Sequence, residues 1–170
     1  MYSTAIRIFM GASILKIMKY ISRFTSELKA STPEVWEWMT SFEGISKEMS
    51  PLMVMTAPAH VKSLESVAFE PGKPIFRSWL LLFKVLPFDY SDFTLERVDV
   101  GTGFVEQSSM GSMRLWRHVR NIQSIEGGCM LTDELTYEPR FAGVIAHQFV
   151  KMLFKHRHRQ LRKHMGELPQ

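Results

Sequence analysis

Two stretches carry residues whose types and spacing could do chemistry. The first is GFVEQSSMGSMRLWRHVRNI, residues 103–122, followed by MLTDELTYE, residues 130–138. Gly111-Ser112 has the length and composition of a two-residue hairpin turn between two strands. That turn would set Met110 opposite Met113, Ser108 opposite Leu115, Glu106 opposite Arg117 and Phe104 opposite Val119. The other face would carry Gln107 opposite Trp116, Val105 opposite His118 and Ser109 opposite Arg114. On the next strand Leu131, Asp133, Leu135 and Tyr137 share a face, and one of the two pairing parities brings Asp133 beside His118. An Asp–His pair beside Trp and Gln is the raw material of a general base in an apolar cavity. It is equally the composition of a buried polar cluster that satisfies its own hydrogen bonds. Both readings stay open on spacing alone. No HExxH, GxSxG, P-loop or strand-borne GxGxxG is present, which weighs against the common hydrolase and nucleotide-binding classes.

The second stretch is FKHRHRQLRKH, residues 154–164, in which eight of eleven residues are basic or histidine. Metal ligation fails on geometry. His156 and His158 are two apart, so on a helix they point about 200° apart. Their i+4 neighbours are Gln160 and Arg162, while His147 meets Lys151. From Phe141 to Gly166 there is no Asp or Glu, so phosphate contact is the natural competing reading. However, an apolar stripe along the same helix commits one side to packing, and no nucleic-acid-binding motif accompanies it. Phe154 and Leu161, with His156 or Arg157, fall on the packed side, and the remaining charges form a solvated face suited to the helix C-terminus. No metal, cofactor or nucleic acid is expected; a weak attraction of this face to anionic lipid headgroups is.

The elements that must position these residues follow from periodicity. The chain has 170 residues, 45% of them hydrophobic, enough for one domain with a real core. Twelve Met and twelve Phe suit a core or an adaptable binding surface. The single Cys129 leaves no internal disulfide and fits a reducing, cytoplasmic compartment. Residues 1–17 read as an N-terminal extension and residues 167–170 as a tail, with the domain over 18–166. Residues 20–28 alternate as a strand, with Ile21, Phe24 and Leu28 as its apolar members. STPEVWEWMTSFEGI then predicts one helix of about three turns, with Ser31 and Glu34 at capping-box spacing and Gly44 as its stop. EMSPLMVMTAPAH reads as a loop with one short extended piece, and Ile75 to Leu86 as a strand apolar on both faces. Residues 141–164 form the longest helix, with Ile145, Phe149, Met152, Leu153 and His156 in one stripe. Strands bounded by helices argue an α+β fold, the last helix packed across one curved sheet.

In this order the chain resembles the SRPBCC superfamily, the START and Bet v 1-like ligand-binding domains, over roughly residues 18–166. The carriers are the first strand with STPEVWEWMTSFEGI, the EMSPLMVM loop, the FVEQSSMGSMRLWRHVR hairpin, LTDELTYEP and the closing FKHRHRQLR helix. It looks most like the bacterial cyclase/dehydrase-like members. The resemblance implies a helix-grip fold: a curved antiparallel β-sheet wrapped around a long C-terminal α-helix, with an apolar cavity between them. It also implies inward-facing Gln107, Trp116 and His118, with Asp133 on the following strand. The sequence departs from the pattern at Arg120, where relatives often carry a second histidine.

The resulting expectation is a non-catalytic binding or carrier protein for a small hydrophobic ligand such as a lipid, quinone or polyketide. Trp79, Phe83, Phe104, Trp116, Phe149 and Leu153 are the expected lining, with Gln107, Arg114, His118 and His156 as polar contacts and the EMSPLMVM loop as a gate. The alternative is a cyclase/dehydratase-type lyase using His118 and Asp133 in the same cavity.

Overall fold

The structure is a computed structural model that describes residues 3–6 and 18–169. The expected N-terminal extension therefore lies outside the described residues, apart from a short strand, β1 (Ser3–Ile6), which pairs with the next. That next strand, β2 (Lys19–Leu28), alternates between buried and exposed along its length. Tyr20, Phe24 and Leu28 face the core, which puts Ile21, of opposite parity, in the exposed row.

The first helical region is two helices, not one. α1 (Thr32–Thr40) starts after Ser31, whose backbone N–H donates to Glu34 Oε2 at 2.8 Å, the acidic half of the expected capping box. Ser41 ends α1 and begins α2 (Phe42–Met49); its extended backbone breaks the ladder and its hydroxyl accepts from the Gly44 N–H at 3.0 Å. Gly44 thus sits inside α2 rather than stopping a helix. A Cβ there would lie 2.2 Å from the Trp38 carbonyl oxygen, so glycine is what lets the two helices abut.

After α2 come β3 (Met53–Met55), β4 (Pro74–Leu82), β5 (Leu86–Asp99), β6 (Gly103–Gln107), β7 (Ser109–Met110), β8 (Met113–Ile125), β9 (Gly128–Pro139) and α3 (Gly143–Met165). All strand pairings are antiparallel, in the order β1-β2-β9-β8-β6-β5-β4-β3, with β7 on β5. β4 is not covered on both sides. Ser78 and Leu80 are buried, while Trp79 is 51% exposed and the residues that turn the chain into β5 lie in solvent.

The hairpin register differs from the sequence expectation by one residue. Glu106 pairs with His118, Phe104 with Arg120 and Gln107 with Arg117. The cause is a break at Ser108: the chain leaves β6, and Ser109–Met110 pair with β5 instead of β8. Ser108 holds this corner, its hydroxyl accepting from Thr94 N–H at 3.2 Å and donating to Glu106 Oε1 at 2.6 Å. Because side chains alternate, a one-residue slip exchanges the two faces of β6. Glu106 therefore enters the interior and Gln107 leaves it.

α3 crosses the concave face, burying Val150, Leu153, Phe154, His156, Arg157, His158 and Leu161. One apolar cluster gathers α1 with Leu28, Phe93, Leu95, Phe104 and Leu131, and a second gathers Phe24, Met110, Leu135, Leu153 and Phe154. No helix among the described residues is long and apolar enough to cross a membrane.

Candidate functional site

Between α3 and the strands β3 to β8 lies a cavity of about 330 Å³, within the range of small-molecule sites. Methionines supply much of the wall: Met49, Met53, Met55, Met110 and Met113. Of the residues expected to line it, Phe104, Trp116, His118, Phe149 and Leu153 do so. Five others do not. Trp79 points to the outer face of β4, edge-on to Tyr90, and Phe83 stands in the β4–β5 turn, 64% exposed. Gln107 is exposed for the register reason above, and Arg114 is exposed at a bulge between Met113 and Leu115. His156 is buried on another side of α3, its Nε2 2.7 Å from the Ser50 carbonyl oxygen.

Besides the Asp89–Ser112 pair, in which the carboxylate accepts from the Ser112 backbone N–H at 3.1 Å and from its hydroxyl, polar groups reach the cavity at two places. One is Ser91, on the wall formed by β5. Its hydroxyl is buried and, among the described residues, neither it nor the hydroxyl of its cross-strand neighbour Ser78 has a hydrogen-bond partner. The other is the group Glu106, His118 and Arg157, which opens onto a fully buried ion network.

That network joins four elements: Glu48 of α2, His118 and Arg120 of β8, Asp133 of β9, and Arg157 and His158 of α3. The guanidinium of Arg120, with no exposed surface, bridges both carboxylates: Nε and Nη2 donate to Asp133 at 2.7 and 2.8 Å, Nη1 and Nη2 to Glu48 at 3.1 and 2.9 Å. Arg157 donates twice to Glu48 Oε2, at 2.9 and 3.1 Å, and the indole N–H of Trp38 reaches Oε1 at 3.1 Å. Two carboxylates and two guanidiniums balance to zero charge, the condition under which ions tolerate such burial.

Burial by itself would push the Asp133 carboxyl up, but Arg120, aided by His118, outweighs it and holds Asp133 well below the usual carboxylate range. Glu48 is likewise pushed up by burial and brought below its ordinary value by Arg120 and Arg157. Asp133 is therefore an acceptor on both oxygens, and it fixes two imidazoles. His118 Nε2 lies 2.7 Å from Oδ1, and His158 Nε2 3.0 Å from Oδ2. Each must present its Nε2–H to the carboxylate.

For His158 the remaining nitrogen, Nδ1, meets Ser26 Oγ at 2.8 Å, and that oxygen accepts from Arg162 at 2.9 Å. For His118 the remaining Nδ1 faces Glu106 Oε2 at 3.6 Å, on the cavity wall. An imidazole oriented by one buried carboxylate, with its second nitrogen facing another that lines the cavity, is a pair of groups that can hold and relay a proton.

The basic stretch of α3 is thus split differently from the expectation. Arg157 and His158 are inside, tied to the network, while Lys155, Arg159, Lys163 and His164 are exposed. Residues 200° apart can both be buried because the sheet curls around the helix. Glu48, Glu106, Arg157 and His158 are the site residues that sequence reasoning missed. For Arg120 a signal existed: Trp116, His118, Arg120 and Ile122 share one parity along β8.

A curled antiparallel sheet gripping a C-terminal helix over an apolar cavity is a helix-grip fold, the fold of START and Bet v 1-like domains. Solved structures agree. Protein CV1439 from Chromobacterium violaceum superposes with a TM-score of 0.66 at 11% identity, covering 85% of this chain and 96% of that one. A START superfamily protein from Mycobacterium smegmatis gives 0.61 at 10% identity, over 85% and 96% of the two chains. Ara h 8.0201 gives 0.58 at 10% identity, over 88% and 97%. Within that class the chain belongs to the family described as "Domain of unknown function (DUF8410)", whose model matches residues 26–165. No curated protein matches it.

Proposed function

We propose that this protein binds and carries a small, predominantly apolar ligand in the cavity between the sheet and α3. The observation that carries this reading is the cavity itself, about 330 Å³, walled by flexible methionine and phenylalanine side chains. Polar contacts are few, which suits a ligand whose hydrogen-bonding groups are confined to one or two positions. Arg157 and His118 orient one such group, and the unpartnered Ser91 hydroxyl receives another. Lipids, quinones and polyketide-like molecules fit this description, and the EMSPLMVM segment, which supplies Met49, Met53 and Met55 to the wall, is placed to admit them.

A second reading is favoured by one specific contact, His118 Nε2 to Asp133 Oδ1 at 2.7 Å with His118 on the wall. Here the same cavity hosts proton transfer of the cyclase/dehydratase type.

One experiment separates them. Purified wild-type protein and a His118→Asn variant are extracted with organic solvent and the extracts compared by mass spectrometry. The carrier reading expects the same apolar molecule from both; the enzyme reading expects different molecules. A protein that yields no apolar molecule, and does not enhance the fluorescence of a hydrophobic probe, overturns both. An Ala146→Trp variant, which fills the cavity from α3, should lose the probe signal.

A further inference from the structure

Six large apolar side chains with more than half of their surface in solvent stand on two segments that flank residues of the cavity wall. Phe83 and Val85 in the turn between β4 and β5, and Leu86 at the start of β5, are 64%, 79% and 58% exposed; Phe141 just before α3, and Val144 and Ile145 in its first turn, are 68%, 63% and 73% exposed. The two groups are prongs of one surface. Leu82 and Phe88, which flank the first group, and Phe141, Ile145 and the nearby Phe149 line the same cavity, and the Phe88 and Phe149 rings meet edge to face at 5.8 Å. Contiguous apolar surface of this kind is rare on a soluble monomer unless something covers it. The turn has a further peculiarity. Phe83 and Lys84 both have positive φ, 49° and 68°, a conformation that favours glycine or asparagine. A phenylalanine and a lysine kept there against that preference point to use of the side chains at the tip.

We propose that these two prongs are a docking surface for an anionic lipid bilayer, inserting around the cavity mouth so that it opens toward the hydrocarbon. Charge decides among occupants. Segments 82–88 and 140–152 contain Lys84, Arg140 and Lys151 and no Asp or Glu. Lys84 and Arg140 are exposed and directly adjoin Phe83 and Phe141. Lipid phosphates would meet these cations while the apolar tips enter the acyl region, the arrangement of an interfacial anchor. A second copy docked face to face would instead oppose like charges. The surface is distinct from the exposed cations Lys155, Arg159 and Lys163 farther along α3, and the inference does not depend on what the cavity holds.

The test is flotation of the purified protein with phosphatidylcholine vesicles, with and without phosphatidylglycerol. Flotation with the anionic vesicles is expected, weakening as salt is raised. Val85→Asp and Ile145→Asp should each lower the bound fraction at least about tenfold. Lys84→Gln and Arg140→Gln should lower it about fivefold each. Lys163→Gln should leave it unchanged. All five positions are exposed or tolerate the change without loss of packing, and near-ultraviolet circular dichroism confirms that each variant is folded. Absence of flotation with either vesicle overturns the proposal, as does flotation that the Lys163 variant abolishes and the mouth variants do not. A concentration-dependent dimer in sedimentation, dissolved by Val85→Asp or Ile145→Asp, would assign the surface to a second copy and overturn it equally.

Discussion

Replacing Arg120 by Met removes the cation that, among the described residues, touches both Glu48 and Asp133. Its guanidinium makes four contacts of 2.7 to 3.1 Å with Glu48 and Asp133, and none of the three side chains has exposed surface. The count of Glu48 and Asp133 against Arg120 and Arg157 then falls from zero to minus one, inside a region closed to water. Breaking a buried pair in this way costs about 3–5 kcal/mol, which for a chain of this size lowers Tm by about 6–20 °C. The pH dependence should change sign as well. In the wild type both carboxyls are held below their ordinary values, so their contribution is fully present above about pH 4 and is lost as pH falls below it. Without Arg120, burial prevails over the remaining partners of Asp133 and its folded-state value rises above the unfolded one. Stability of the variant should therefore decline as pH rises from about 4. Adding Asp133→Asn restores the charge count and should recover part of the loss and remove the inverted slope. Urea titrations followed by tryptophan fluorescence across this pH range measure all three proteins, with Arg77→Met, which breaks an exposed pair with Asp92, as control. The reasoning is refuted if Arg120→Met costs no more than the control, or if its stability keeps the wild-type slope.

Three further outcomes follow from local geometry. Gly44→Ala places a Cβ 2.2 Å from the Trp38 carbonyl, a backbone atom that cannot step aside, and should destabilise the protein by about 1–3 kcal/mol in thermal melts. Ser91→Ala removes a buried hydroxyl without a partner; it should leave the ligand-free protein as stable or more so, while weakening retention of the extracted ligand. Burial, and then Lys151, push the His147 imidazole below its ordinary value, so the contribution of this group should decline as pH falls through about 6.5. Lys151→Gln should raise its midpoint in an NMR titration.

How much of this was legible in advance depends on the range of the interaction. Alternation along β2, β8 and β9 and the capping box at Ser31 and Glu34 are local signals, and they located those elements; the stripe on α3 located the helix but only part of its packed side, since Ile145 and Met152 are exposed, and the helix-grip arrangement came from the family resemblance. Placing Asp133 beside His118 needed only that β8 and β9 pair with a particular parity, so the sequence could offer it as one of two options. In the sequence Gly44 looks like a helix stop, which hides the split of the first helix at Ser41. Its role as a point of close approach exists only once α1 and α2 touch.

The sequence by itself determined which residues share a face within an element, because a strand repeats every two residues and a helix every 3.6. It therefore determined the class of fold and grouped Trp116, His118 and Arg120 on one side of β8. Tertiary structure alone decided the rest. The corner at Ser108 shifts the register by one residue and exchanges Gln107 for Glu106 at the cavity. The curl of the sheet buries opposite sides of α3, so that His158, expected on the solvated face, joins Arg157, one of two candidates for the packed side, in an interior ion network. Partners such as Glu48 and Arg120 are 72 residues apart in the chain. No local periodicity encodes such a pairing; it follows from exclusion of water, which leaves a buried charge no favourable alternative to an opposite one.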